Sequence, residues 1–247
     1  MTTSERWLSS LEARHFSDLT FQEVSRSLRA LSATYVERRE RIREGAALSG
    51  AGKRAAFALF YGPLHFLLVR EIVRDIGRAA LSGPPTLIDL GCGTGAAGAA
   101  WADACDPKPQ VIGVDLHPWV LAEAAETYRE FGLRARTVRG DATSVTLPKP
   151  PAMILAAFTV NELSDEGRGT LLPRLLERAS HGDRVLIVEP LARAVAPWWR
   201  HWADAFTSAG GRGDEWRFRA ELPALVAKLD RAAGLNHREL TGRSLFL

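Results

Sequence analysis

The sequence predicts an α/β protein: a doubly wound parallel sheet preceded by an N-terminal helical cap. Three observations carry this. Short apolar segments alternate with helical ones between residues 86 and 191. A glycine turn, Gly91-Cys92-Gly93-Thr94-Gly95, directly follows the first of these segments. Residues 4–80, ahead of the breaker Ser82-Gly83-Pro84-Pro85, carry helical rather than alternating apolar spacing.

In the cap, Asp18 or Thr20 can cap a helix whose apolar positions recur at Val24, Leu28, Leu31 and Tyr35. The mixed-charge run Glu37–Glu44 suits an exposed helix end, and Gly50 and Gly52 mark a break. A second block, Arg54 to Arg78, contains Pro63, which predicts a kink or a split. Its most apolar part, Ala55 to Val69, is interrupted by Gly62, Pro63 and His65 and reads as too short for a membrane span.

Strands are expected at Thr86–Leu90, Val111–Val114, Ala135–Val138, Met153–Phe158 and Arg184–Val188. Helices are expected at Ala96–Ala104, Pro118–Phe131 and Asp165–Ala179. Residues 192–219 read as an irregular, aromatic-rich insertion, and Leu222–Ala233 as a helix. Asn236–Leu240 and Ser244–Leu247, around Thr241-Gly242, read as two short strands. The division is therefore a cap and substrate region at 1–80 and a ligand-binding domain at 81–247.

With 247 residues, 46% hydrophobic and 25% charged, the chain can bury a core of ordinary globular type. Two cysteines, Cys92 and Cys105, exclude a disulfide framework and a four-cysteine metal site, so no metal is expected. They suit a reducing, cytoplasmic setting. The first residues, MTTSERWLSSLEARHF, have no signal-peptide run. Lys/Arg to Asp/Glu counts are 13 to 9 in residues 1–80, 10 to 14 in 81–191 and 9 to 6 in 192–247. The basic flanks are compatible with nucleic acid, but solvated surface explains them as well.

The glycine turn admits two ligands. Gly93-Thr94-Gly95-Ala96-Ala97-Gly98 fits the dinucleotide fingerprint, and Asp115 follows where a ribose-binding acid belongs. Three features favour S-adenosylmethionine instead. Asp89, just before the turn, suits a positively charged methionine end and would repel a pyrophosphate. The glycines read better as Gly91-x-Gly93-x-Gly95. Asp141 follows the third strand, where an acid can accept from an adenine amino group.

DLGCGTG, VIGVDLHP and VRGDA together resemble the Rossmann-like, class I S-adenosylmethionine-dependent methyltransferase superfamily over residues 86–190. The resemblance implies a mostly parallel sheet with a terminal antiparallel strand. It also implies that Asp89 and the Gly91, Cys92, Gly93, Thr94 and Gly95 backbone hold the methionine part. Asp115 would pair with the ribose hydroxyls, Leu116 would lie against adenine, and Asp141 and Ala142 would meet its edge. Cys92 has no nucleophilic role in this scheme. Tyr61 could reach the cofactor carboxylate, and Phe158 closes the cofactor side.

The segment Ala157–Leu163 with Leu186–Pro190 is similar to the Rsm22-like branch, associated with the small ribosomal subunit. Leu191-Ala192-Arg193 departs from that branch, and the cysteines of its metal-cluster members are missing.

Asn161 and Glu162 follow the fourth strand, so they are placed to face the transferred methyl group. Glu162 is the first candidate to orient or deprotonate the acceptor, with Asn161 as its partner. His65 and His201 lie in segments that could cover the site, and either could act as a base. In Pro197–Trp202, Trp198 and Trp202 suit the buried face of an amphipathic helix. Trp199, Arg200 and Glu189 remain as substrate contacts. The acceptor is RNA, the ribosome or a small molecule, with a non-catalytic cofactor-binding assembly factor as the alternative. No membrane partner is expected, and the chain could be a monomer or a homodimer.

Overall fold

The computed structural model describes residues 1–37, 48–191 and 196–247. The charged run beyond Glu37 and the Ala192-Arg193 pair lie outside the described residues.

The cap contains α1 (Thr3–His15), α2 (Phe21–Glu37), α3 (Ala51–Ala56), α4 (Gly62–Ile76) and α5 (Arg78–Leu81). Thr2 and Glu5 form a reciprocal capping box that starts α1. Between α3 and α4 the helix widens into a π turn at Phe57–Tyr61 and continues. The helical run continues through Pro63, with the irregularity placed in the π turn before it. The proline sits in the first turn of α4, and the π turn directly before it absorbs the altered backbone pairing.

The continuous helical run spans 26 residues, Ala51–Ile76, and is long and apolar enough to cross a membrane by length and composition. The sequence expectation of an interrupted, shorter stretch is corrected here. Its apolar residues have a partner within the fold: Phe60, Val69, Ile72 and Val73 are buried in the same core cluster as Ala99, Trp101 and Val188.

The sheet comprises β1 (Thr86–Leu90), β2 (Gln110–Asp115), β3 (Ala135–Arg139), β4 (Met153–Ala157), β5 (Arg184–Glu189), β6 (Arg212–Arg219) and β7 (Glu239–Phe246). Its order is β3-β2-β1-β4-β5-β7-β6. The first five strands are parallel, and β7 runs antiparallel to both β5 and β6. Every residue of β4 is buried, as befits a strand covered on both faces. Helices α6 (Ala96–Ala104), α7 (Pro118–Glu130), α8 (Asp165–Ser180), α9 (Trp199–Ser208) and α10 (Ala224–Ala232) complete the layers.

One face of the sheet carries the cap with α6 and α7, and the other carries α8 and α9. Cap and sheet are clamped together at α7. Arg14 and His15 both bond Glu123, and the Trp7 indole donates to Thr127 Oγ1 at 3.2 Å.

Two expectations are corrected at the C-terminal end. Within 192–219, the described residues 196–219 are not irregular: they hold α9 and edge strand β6. The signal was present, because Asp214, Trp216 and Phe218 alternate with exposed residues. The two short terminal strands are one strand, β7, that passes through Gly242. That glycine is not a turn; a Cβ there would come within 2.9 Å of Leu68 Cδ2 on α4. Part of the basic excess of this flank is spent along β6, where Arg212 binds Asp214 at 2.7 Å and Arg217 lies 3.5 Å from Glu239. Charged side chains on an edge strand also discourage further strand pairing.

Candidate active site

The site lies at the carboxyl ends of β1, β2 and β4. The chain leaves β1 through three left-handed glycines, Gly91 (φ 67°), Gly93 (φ 51°) and Gly95 (φ 76°). The turn is tied to β2 by Cys92 N–H donating to Val114 O at 2.9 Å, and closed on itself by Gly95 N–H to Cys92 O at 2.8 Å. Gly95 has a second requirement, since a Cβ would sit 2.9 Å from the Ala124 backbone. Thr94 is buried and faces Gly62 at the start of α4. Cys92 is buried too, and burial pushes its thiol well above the usual range, which agrees with a structural role.

Asp89 does not face the mouth of the strand. It is 1% exposed and points beneath the turn, where Oδ2 accepts the Gly98 N–H and the Tyr128 hydroxyl, each at 3.1 Å. Burial raises its carboxyl to about 7 despite those bonds. The expected direct contact with a cofactor's methionine end is therefore corrected. Asp89 instead binds the Gly98 N–H, in the first turn of α6, from within.

Asp115 is half-buried at the end of β2. Its Oδ2 accepts the Gly93 N–H at 3.1 Å and its Oδ1 the His117 N–H at 2.9 Å, which fixes the carboxylate beside the glycine turn. Leu116 follows and is 61% exposed, unusual for a large apolar side chain. Asp141 is exposed after β3, with Oδ1 accepting from the Thr143 amide and hydroxyl at 2.7 Å each; Ala142 beside it is buried.

At the end of β4, Phe158 adopts φ 58°, a strained value for a side chain of this size. Its ring stacks on His65 of α4, with centroids 3.8 Å apart. Tyr61 lies 6.2 Å from His65, and its hydroxyl hydrogen-bonds with Ser32 Oγ at 3.0 Å. Burial raises the Tyr61 phenol and lowers His65 to about 3, so the imidazole is neutral and a poor proton acceptor. Geometry thus brings His65 to the site but removes it as a base.

Thr159 was not foreseen. Its buried hydroxyl lies 3.0 Å from Leu90 O and 3.3 Å from Gly91 O, pinning the turn to the end of β4. Phe57 was also missed; a Cβ on Gly93 would lie 3.7 Å from its ring. Its spacing of four from Tyr61 and eight from His65 was legible as one helix face.

Asn161 and Glu162 lie in a 3-10 turn, Val160–Glu162. Asn161 Oδ1 accepts the Trp198 indole N–H at 3.0 Å, so its side chain faces α9 rather than Glu162. Glu162 is exposed. Glu189 is fully buried, which corrects its expected substrate contact. Its Oε1 accepts the Asn161 N–H at 3.1 Å, it stands opposite Arg243 on β7, and burial raises it to about 8.

The tryptophan segment follows the helical expectation, with Trp202 buried and Trp198 half-buried. Trp199 is covered by the Arg243 guanidinium, 4.1 Å from its ring centroid, so that face is not a free stacking platform. Arg200 and His201 are exposed on α9, which packs on the sheet through Trp202 and Phe206. Among the described residues no recorded contact joins Arg200 or His201 to the glycine turn. Among the described residues no cluster of metal-ligating side chains is present.

Residues 87–182 match the family described as a methyltransferase domain. Trans-aconitate 2-methyltransferase of Pseudomonas aeruginosa is 33% identical over 144 residues, covering 58% of this chain and 50% of that protein. The protein of the same name from Pseudomonas paraeruginosa matches with the same identity and shares. The chain thus spans half the length of the curated relatives it matches. Among solved structures, mitomycin 7-O-methyltransferase gives a TM-score of 0.53 at 16% identity, covering 99% of this chain and 70% of that one, a likeness of fold. The relatives are named for trans-aconitate, so the Rsm22-like assignment gains no support from them. Residues 87–182 are thus similar to a methyltransferase domain, and the strand order is that of a Rossmann-like, mostly parallel sheet with a terminal antiparallel strand.

Proposed function

We propose that the chain transfers the methyl group of S-adenosylmethionine to an N or O atom of a small-molecule acceptor. The observation that carries the donor is the set on β1, β2 and β3: a left-handed glycine turn, Asp115 locked beside it, exposed Leu116, and Asp141 beyond.

This donor set fits the cofactor. Carboxylates suit a ribose diol and an adenine amino group, and an exposed apolar side chain suits the flat base. It suits a dinucleotide less well, because Asp89 already occupies the Gly98 N–H in the first turn of α6. Bound S-adenosylmethionine supplies an activated methyl group, so the protein mainly orients the partners and excludes water.

In this reading Asp115 accepts from the ribose hydroxyls, and the Gly91–Gly95 backbone cradles the methionine part. Leu116, Asp141 and Ala142 frame the adenine. Tyr61, kept protonated by burial, donates toward the cofactor carboxylate. The described part of the cap forms the acceptor side and meets the turn where Phe57 approaches Gly93 and Gly62 approaches Thr94. Glu162, exposed at the end of β4, is the group placed to take a proton from an acceptor that carries one.

A small acceptor is favoured over RNA by the cap, which packs directly onto the glycine turn, and by the trans-aconitate relatives. Unsaturated polycarboxylic acids are the first class to assay. Calorimetry with S-adenosylhomocysteine and with NAD tests the donor: binding of NAD alone would sink the reading. A labelled-methyl assay on extract separated into metabolites, RNA and protein tests the acceptor, and label confined to RNA would overturn the small-molecule assignment.

A further inference from the structure

Four rings converge where the donor turn meets the cap. Phe57, Tyr61 and His65 lie along one face of the α3–α4 run, and Phe158 approaches from the end of β4. Phe57 is 6.1 Å from Tyr61 and 6.4 Å, edge-on, from His65. All four rings are half-buried, so each keeps surface open at the mouth of the site.

Their alignment has a cause. Residues four apart drift by about 40° per step around an α-helix. The wider π turn at Phe57–Tyr61 takes up part of that drift and keeps the three rings on one face, with Phe57 nearest Gly93. On the facing side, the left-handed backbone of Phe158 turns its ring toward His65 instead of along the strand direction.

The charge balance of the site leaves a task for these rings. A sulfonium donor places a positive centre between its adenosine half, at β2 and β3, and its methionine half, at β1 and β4. The carboxylate nearest that point in sequence, Asp89, is sealed under the turn and bonded to Gly98 and Tyr128.

We propose that Phe57, Tyr61, His65 and Phe158 form an aromatic wall that recognises the positive sulfonium of the donor through their π systems. This rests on the S-adenosylmethionine reading above. Cation–π attraction needs no ionised partner and survives in a water-poor pocket, where a free carboxylate would be expensive to desolvate. His65 belongs to the wall because burial holds it neutral, so it adds an aromatic face and no like charge. The wall favours the charged substrate over the neutral thioether product, which aids product release.

The test compares S-adenosylmethionine with S-adenosylhomocysteine by calorimetry on the full chain, in wild type, Phe57→Leu and Phe57→Tyr. Wild type is expected to bind the sulfonium ligand more tightly than the thioether. In Phe57→Leu that preference falls about 3- to 10-fold, the range of an exposed to partly desolvated cation–π contact. Phe57→Tyr keeps it. Thermal melts verify that both variants fold, and Tyr61→Leu serves as a second probe if Phe57→Leu does not. Equal weakening toward both ligands, or none toward either, overturns the wall as a charge-recognition device. If wild type binds neither ligand, the donor reading itself fails, a result distinct from an unchanged preference.

Discussion

The Asp89 carboxylate accepts the Gly98 N–H at 3.1 Å across the glycine turn, joining the end of β1 to the first turn of α6. Gly98 must be glycine for this, because a Cβ would sit 2.3 Å from Asp89 Oδ2. Burial raises Asp89 to about 7, above its ordinary 3.8. A raised carboxyl contributes its stability fully at pH below the unfolded value and loses it as pH rises through the folded one. Stability is therefore expected to decline between about pH 4 and 7 and to level off above. Asp89→Asn, which keeps the acceptor and never ionises, flattens that decline in thermal melts. Asp89→Ala leaves two buried donors unpaired and costs about 2 kcal/mol or more. Parallel pH curves for wild type and Asp89→Asn would refute this account.

Gly91 and Thr159 are matched. A Cβ on Gly91 would lie 2.4 Å from Thr159 Oγ1, and the glycine sits at φ 67°. Gly91→Ala is expected to abolish donor binding in calorimetry and to lower the melting temperature. Thr159→Val removes the hydroxyl but keeps the shape, and should weaken donor binding about tenfold, while Thr159→Ser stays near wild type. Equal affinities for Val and Ser variants would show that the hydroxyl does not hold the turn.

In the proposed donor site, Asp115 meets the ribose and Leu116 the base, so the two can be tested separately. Asp115→Asn is expected to weaken S-adenosylhomocysteine binding about 10- to 100-fold, the size of hydrogen bonds to a charged group. Leu116→Ala removes an exposed side chain and should leave folding intact while weakening the same ligand severalfold. An effect of Leu116→Ala on melting temperature without any on affinity would assign it to the fold.

Glu123 couples cap and sheet. Burial by itself would raise its carboxyl, but its bonds to His15 and Arg14 outweigh that and hold it below the usual range. A lowered carboxyl contributes stability above its unfolded value and loses it as pH falls through the folded one. Acid melts of wild type should therefore drop below about pH 4.5, and Glu123→Gln should be less stable at pH 7 with a shallower acid limb. Identical acid limbs would place the sensitive group elsewhere.

Much of the donor side was legible in the sequence because it is local. Alternating apolar segments dictate a parallel sheet buried on both faces. Gly91, Gly93 and Gly95 report left-handed backbone wherever they occur, and Asp115 and Asp141 follow their strands at fixed offsets. Leu116 needed no tertiary information to be placed at a strand end. The acceptor side was poorly legible because its side chains act through partners far away in sequence. Glu189 read as a pocket residue, but β7 supplies Arg243 opposite it and buries it completely. His65 read as a base, but it stacks on Phe158, and burial keeps it neutral.

The sequence by itself determined the fold class and the place of the donor turn, since strand period, glycine conformation and the order of acids are properties of short segments. Only the tertiary structure decided which way each side chain points. It turned Asp89 inward to Gly98 and Tyr128, bent Phe158 toward the cap, and kept the helix whole through Pro63. Those outcomes depend on burial and on contacts between α4, α7 and β4, where desolvation outweighs what the residue types alone suggest.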